Sequence, residues 1–436
     1  MRKLLLFALL LAVTGLWADG VQPDGSGAED DPYQVATLDN LLWVSTNDSS
    51  WTSHFVQTAD IDATDTQNWN DGEGFSPIGI EMATFTGAYN GQMHVIDDLY
   101  INRPSTYYQA FLGNTAGAII ENLGITNVDV TGYYCTGGLI GASENSIISN
   151  CYSTGSMSGN FDTGGLVGLN GDNSTVSNCY STGSVNGEYD VGGLVGWNSE
   201  SYVNNCYSTG SVNGVETVGG LVAWNDDSYV SNCYCTGSVN GVEDVGGLVG
   251  FTSTSVNNCF WDTETSGQSS SADGTGKTTA EMQDVATYTS LATPGLDSPW
   301  DFIGNPFDDI GNEDYWDIDG TTNSGYPFLT DVPVGIDDDG AVPEPISAIT
   351  LHPAFPNPFN PTTTIKFSVA KRQSATLKIF NLRGQLVKSY PAFAGGNHEV
   401  VWDGADNSGR GVASGVYLYR LQSDSAQQVR KMALLK

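Results

Sequence analysis

Residues 176–187 read VSNCYSTGSVNG, and the chain writes nearly the same dozen residues again from Val203 (VNNCYSTGSVNG), from Val230 (VSNCYCTGSVNG) and, more loosely, from Ile148 (ISNCYSTGSMSG). Glycine pairs keep the same beat. They fall at Gly137-Gly138, Gly164-Gly165, Gly192-Gly193, Gly219-Gly220 and Gly246-Gly247, at intervals of 27, 28, 27 and 27 residues. A fixed period of this length is the mark of a solenoid, in which a unit cannot bury its apolar side alone and stacks on its neighbours. Within a unit, short runs rich in Val, Thr and Tyr are separated by Asn and Gly, which is strand and turn chemistry. Three short strands per coil predict an all-β protein whose body is a right-handed parallel β-helix.

Alternation along a strand sorts the columns. Cys179, Ser181, Gly183 and Val185 share one face, and Tyr180, Thr182 and Ser184 the other. The first face is predicted to point inward, because IIENLGITNVDVTG (Ile119 to Gly132) aligns with the repeat and places Leu123 in the cysteine position. The structural core column is therefore Leu123, Cys151, Cys179, Cys206, Cys233 and Cys259, with like side chains on rungs about 4.8 Å apart. Thiols packed as small hydrophobes are the favoured reading. The rival is a disulfide between adjacent rungs. There are seven cysteines, and no CxxC pair offers a zinc site. Asn122, Asn150, Asn178, Asn205, Asn232 and Asn258 precede the column at a corner, where stacked amides can hydrogen-bond along the axis.

If the cysteines point in, the residues after them point out. Tyr152, Tyr180, Tyr207, Tyr234 and Phe260 are thus the candidate ligand-binding surface, an exposed stack of amphipathic rings. The competing reading is that the rings only stabilise the sheet. A second column, Trp197, Trp224 and Phe251, has no facing that the pattern settles.

Charge narrows the partners. The chain carries 15 Lys and Arg against 50 Asp and Glu, a net charge of −35. From Thr350 onward the count is eleven basic to four acidic residues, and between the N-terminal Arg2 and Lys3 and Thr350 only Arg103 and Lys277 are basic. So acidic a body repels phosphate backbones and excludes nucleic-acid binding; the asymmetry marks a domain boundary. The opening MRKLLLFALLLAVTGLWADG has the basic start, apolar run and small residue of a signal peptide, cut near Ala18. No other stretch is long and apolar enough to span a membrane.

The repeats GGLVGLNGDNSTVSNCYSTGSVNG and GGLVGWNSESYVNNCYSTGSVNG resemble the GLUG motif of bacterial surface and secreted proteins, and FSPIG, FTGAYNGQMHVIDDLYI, CFWDTETSGQS and GYPFL resemble the flanks of such arrays, so that the likeness runs from Pro32 to Leu329. It implies an extracellular setting. HPAFPNPFNPTTTIKFSVA, ATLKIFNLRGQLVKSY, VVWDGADNSGRGVASGVYLYRL and the final VRKMALLK resemble the sorting domain of the type IX secretion system, over Leu351 to Lys436. That resemblance implies passage across an outer membrane by the type IX machinery, removal of the domain, and attachment to the cell surface; the alternating strands suit a small Ig-like β-sandwich. The expected organisation is a signal peptide (1–18), a flexible acidic N-terminus (19–33), the β-helix (34–262), an irregular cap (263–330), a Pro/Asp-rich linker (331–349) and the sorting domain (350–436).

Catalytic signatures are sparse. The four histidines form no HExxH and no GxSxG occurs. DGTGKT (Asp273 to Thr278) mimics a phosphate loop but has Ser271 where its first glycine belongs. Asp162, Asp190 and Asp244 recur once per coil and read as solvated edge charges. Glu188, Glu216 and Glu243 lie near them. Asp317 and Asp319 in the WDIDG run are the candidate calcium ligands; no other cofactor is implied. Two function classes stand: a non-catalytic surface module that binds a glycan or a cell, and a carbohydrate-active enzyme using paired carboxylates.

Overall fold

A computed structural model describes residues 20–303, 315–330, 332 and most of 349–435. The expected signal peptide, and nearly all of the expected linker, lie outside the described residues. The chain divides at residues 340 and 341 into two compact units.

The first unit is a parallel β-solenoid. Ile148, Val176, Val203 and Val230 face one another across a nine-stranded sheet, and Tyr152, Tyr180, Tyr207, Tyr234 and Phe260 across a thirteen-stranded one. Phe161, Tyr189, Glu216 and Glu243 share a six-stranded sheet, and Leu169, Trp197, Trp224 and Phe251 share another. All these pairings are parallel and in the register of the sequence period.

Three strands per coil were expected, whereas the coil from Thr175 to Ser199 has five: Thr175–Ser177, Tyr180–Ser181, Ser184–Asn186, Tyr189–Gly192 and Val195–Ser199. The breaks fall at residues 178–179, 182–183, 187–188 and, at the GGL run, 193–194. Gly192 and Gly193 let the fourth strand double back onto the fifth, so closely that a Cβ on Gly192 would lie 1.9 Å from Val195 O and one on Gly193 2.1 Å from Gly220 O. A side chain at Gly192 would strike the next strand of its own coil, and one at Gly193 the following coil.

The other corner belongs to asparagine. Asn122, Asn150, Asn178, Asn205, Asn232 and Asn258 all hold φ between +50 and +57°, the left-handed region that asparagine tolerates better than most residues. Each amide donates to the Oδ1 of the asparagine one coil back, at 3.0–3.3 Å, from Asn122 onto Asn90 through Asn258 onto Asn232. One residue type thus turns the chain and ties the coils along the axis.

Inside, Leu123, Cys151, Cys179, Cys206, Cys233 and Cys259 are at most 1% exposed. Each of these thiols donates to the carbonyl two residues back at 3.0–3.2 Å. All seven cysteines are free and buried. Burial pushes the thiols of Cys151, Cys179, Cys206 and Cys233 well above their ordinary range, so they stay protonated and serve as packing. A second buried ladder, Asn170 to Asn198 to Asn225, closes at 2.8 Å per step.

Both ends are covered. At the start, a helix over Leu38–Thr46, which the repeat pattern does not predict, begins at a Thr37–Asn40 capping box and adds Leu41 and Val44 to the core. Residues 20–33, expected to be flexible, form the bridges Asp24–Gln34 and Ala28–Asp31. At the far end, Val239 N–H donates to Ser266 O, Gly247 N–H to Ser270 O and Ala272 N–H to Val249 O, so a strap satisfies the last coil. The phosphate-loop mimic is structural: Thr275–Lys277 is a strand beside Phe260–Asp262, and Lys277 lies over the Phe260 ring at 5.6 Å.

The second unit is an antiparallel sheet of Ile349–Leu351, Thr363–Asn381, Leu386–Trp402, Gly415–Gln422 and Gln427–Leu434. Ile365, Phe367 and Val369 are buried while Lys366 is exposed, the alternation of a one-faced core strand. Trp402, Tyr419, Met432 and Leu434 complete that core.

The corner makes a clear prediction. Both Asn178→Gly and Asn178→Ala break the amide ladder, but alanine must also hold φ +52°. Asn178→Ala should unfold at lower urea than Asn178→Gly, by about 1 kcal/mol; equal midpoints would remove the left-handed corner from the account.

Candidate functional site

The proposed ligand surface comes first, because its exposure is overturned. Tyr152, Tyr180, Tyr207 and Tyr234 do point away from the coil interior and stack at 4.9, 4.7 and 5.1 Å with ring planes within 9° of parallel. Yet these rings and Phe260 are at most 2% exposed. They form a second core with Met282, Tyr288, Leu296, Trp300, Phe302, Trp316, Tyr326 and Leu329 from the segment after the last coil. Two polar tips are met: Tyr234 OH donates to Pro327 O and accepts from Asn323 Nδ2 at 2.6 Å, and Trp300 Nε1–H donates to Asn258 O at 3.0 Å. Burial raises the Tyr234 hydroxyl well above its ordinary range. The expected irregular cap is therefore a lid of apolar side chains, and the tyrosine column is its floor. A signal was available: a segment carrying Tyr288, Trp300, Trp316 and Tyr326 needs an apolar surface to cover.

Asp317 and Asp319 are engaged by the turn they sit in. Asp317 Oδ1 accepts from Ile318 N–H at 2.7 Å, and Asp319 accepts from the backbone and hydroxyl of Thr321 and of Thr322 at 2.7–3.0 Å. Partial burial pushes the Asp319 carboxyl up, but those four donors outweigh it and hold it at about 2. This is an Asx-type turn. Among the described residues no group of three or more His, Cys, Asp or Glu side chains is placed to hold a metal ion.

Of the recurring carboxylates only Asp244 is an exposed edge charge; Asp162, and in part Asp190, are not. Tyr108, Cys135, Asp162, Asp190, Thr217 and Asp244 occupy one position of successive coils, each with φ between +47 and +59°. Asp244 is exposed and Asp190 half-buried, but Asp162 is only 1% exposed, and Cys135 Sγ–H reaches its Oδ2 at 3.6 Å. Burial, then the Asp190 charge, pushes Asp162 up to about 7, against hydrogen bonds from Tyr134 and Cys135. Burial likewise pushes Asp190 up to about 6. The pattern showed that an acid recurs there; only the left-handed backbone reveals that it folds in.

Other outward columns remain in water. Trp197 and Trp224 stack at 5.6 Å with their Nε1–H groups buried and without partners, and Phe251 follows, exposed. Tyr202 and Tyr229 stack at 5.4 Å on the nine-stranded sheet. A third exposed group surrounds Tyr107 and Tyr189. Among the described residues no helix is long and apolar enough to cross a membrane.

Comparison with known proteins follows the same division. The family model for the GLUG motif matches residues 132–158, 159–186 and 187–213, and that for the FlgD Ig-like domain matches residues 359–427. The chain therefore contains GLUG repeats and an Ig-like C-terminal domain. Halomucin of Haloquadratum walsbyi is 34% identical over 152 residues, which are 33% of this chain and 2% of halomucin. Dimeric latent PorU from Porphyromonas gingivalis is 24% identical over 25% of this chain and 10% of its own, with a TM-score of 0.19. An IgA1 protease is 16% identical over 56% of this chain and 20% of its own, with a TM-score of 0.38. Overlaps at these TM-scores carry no argument about this chain.

Two outcomes are expected. Tyr207→Ala, which empties the floor beneath Trp316, should cost about 3–5 kcal/mol in chemical unfolding, whereas Tyr229→Ala, at the surface, should cost under about 1; similar losses would contradict the second core. Asp162 titrates near 7 when folded and near 4 when unfolded, so the native state binds more protons between those values. Stability from this group is present at low pH and falls as pH rises from about 4 to about 7. Asp162→Asn should therefore gain in melting temperature over wild type at pH 8 and match it at pH 4; an equal gain at both would contradict the buried carboxyl.

Proposed function

We propose that this is an exported, non-catalytic β-helix protein of the cell surface or surroundings that binds glycans or other cells, and that its C-terminal domain is the signal for type IX secretion. The observation that carries the binding reading is the display of aromatic columns in identical register on the outside of the solenoid. A solenoid is quasi-one-dimensional, so any feature on one coil is repeated along an extended face suited to a polymer. The GLUG matches and the likeness to halomucin over one third of the chain support a surface or extracellular setting. Delivery by type IX secretion rests on the resemblance of residues 351–436 to sorting domains. The domain limits, with a signal peptide over 1–18, a linker over 331–349 and the sorting domain over 350–436, belong to the same proposal.

A second reading has one observation in its favour. Asp162 and Asp190, on adjacent coils, both titrate far above ordinary carboxylates, as a hydrolase acid and base would. Against it, Asp162 is sealed from substrate. Glycan-array screening of the full chain alongside a reducing-sugar release assay separates the classes: binding without release is expected, and release that disappears in Asp162→Asn would establish the enzyme.

Export has its own test. The terminal strand Gln427–Leu434 pairs with Gly415–Gln422 over its whole length, and Phe359 N–H and Leu435 N–H bracket it. Deleting residues 429–436 removes all of that strand but Gln427 and Gln428 and should leave the protein in the periplasm of a type IX-competent host. Normal surface display of the truncated chain would refute the sorting role.

A further inference from the structure

The strands Tyr107–Gln109, Tyr134–Thr136, Phe161–Gly164 and Tyr189–Gly192 are hydrogen-bonded side by side and bring Tyr107, Tyr134, Phe161 and Tyr189 into one column, with Tyr133 beside it. Tyr107 lies 5.9 Å from Tyr133 and 5.6 Å from Tyr134, each of those lies 5.7 Å from Phe161, and Phe161 stacks on Tyr189 at 4.8 Å and 9°. The rings form one continuous aromatic platform over four coils, though not a coplanar one: Tyr107–Tyr134 and Tyr133–Phe161 meet edge to face at 77°.

Two observations separate this platform from the tyrosine floor under the cap. Its rings keep access to water: Tyr107 is 50% exposed, Tyr133 37% and Tyr189 36%. Packing does not require them either, because the next two coils put Glu216 and Glu243 at the same position of the same sheet. A site that accepts glutamate without change of register has no structural need for an aromatic ring. Tyr107 and Tyr189 at its ends and Tyr133 beside it are exposed, Tyr134 and Phe161 between them are half-buried, and such a partly exposed apolar patch is of the kind that marks interaction.

The surroundings state the chemistry of what lies on it. Glu188 precedes Tyr189 in the chain, and Glu216 continues the column. Ionised carboxylates accept hydrogen bonds and donate none, so the rim suits a partner rich in hydroxyl donors. Anionic ligands are repelled: the one described cation near this region, Arg103, is held by Glu73 at 2.8 Å and donates to Ser76 Oγ at 3.2 Å. A ligand with an apolar C–H face for the rings, hydroxyls for the rim and no negative charge is an uncharged polysaccharide. We propose that the Tyr107–Tyr189 platform is the binding surface for a neutral polysaccharide chain running along the solenoid axis. This rests on the glycan-binding reading and adds to it the location and the ligand class.

The test is affinity electrophoresis of the full chain in native gels containing hydroxyethylcellulose, laminarin, galactomannan or dextran, with alginate as the polyanion. The variant Tyr107→Ser/Tyr189→Ser removes the ends of the platform, and Tyr189→Glu installs the side chain the fold already accepts one coil on. Tyr202→Ser/Tyr229→Ser is the control on the other sheet. The expected result is retardation by at least one neutral polysaccharide, weakened tenfold or more in both platform variants, unchanged in the control, with melting temperatures equal to wild type. Wild-type retardation that survives in the platform variants would overturn the platform and leave the glycan reading standing. Retardation by alginate alone would overturn the ligand class. No retardation by any polysaccharide, with no binding on a glycan array, would overturn both.

Discussion

Every feature of the solenoid depends on the identity of successive coils, and that identity is enforced at two corners where the backbone enters conformations few residues accept. At one, asparagine sits in the left-handed region and its amide bonds to the asparagine of the coil before. At the other, a glycine pair lets two strands approach more closely than any Cβ permits. Neither corner tolerates a change in loop length, because a one-residue slip would exchange the inward and outward faces of every strand. The period is 27 or 28 residues because the turn that follows the fifth strand, 172–174 in one coil and 200–201 in the next, takes the extra residue.

With the corners fixed, each column becomes a choice of chemistry repeated down the axis. Inside, thiols fill the space and stay protonated. On the thirteen-stranded sheet, tyrosines stack and are roofed by the segment that follows the last coil. On the six-stranded sheet, the same register holds aromatics in four coils and glutamates in two. Stacked rings are thus used in two ways: as the floor of a second core, and as a surface left in water. What separates the uses is the cap.

That distinction explains how much the sequence could reveal. The period, the asparagine corner and the alternation of Cys179 against Tyr180 were legible because identical residues recur at a fixed interval. The burial of Tyr180 was not, because its cover comes from Trp300, Trp316 and Tyr326, residues without a period. Asp162 was misread for a different reason. Its side chain turns inward through a positive φ, which alternation along a strand does not anticipate. The platform around Tyr107 escaped notice since its column begins before the best-matching repeats and changes from Tyr189 to Glu216 within them.

The central claim is that the coils and the cap form one cooperative body joined through the tyrosine floor. Hydrogen exchange followed by mass spectrometry addresses this most directly. Peptides covering residues 148–158, 176–186, 203–213 and 230–240 should show strong protection that is lost together with that of peptides covering 282–302 as denaturant is raised, since neither side of the second core can open alone. Exchange of the 282–302 peptides at low denaturant, while the four coil peptides remain protected, would contradict it.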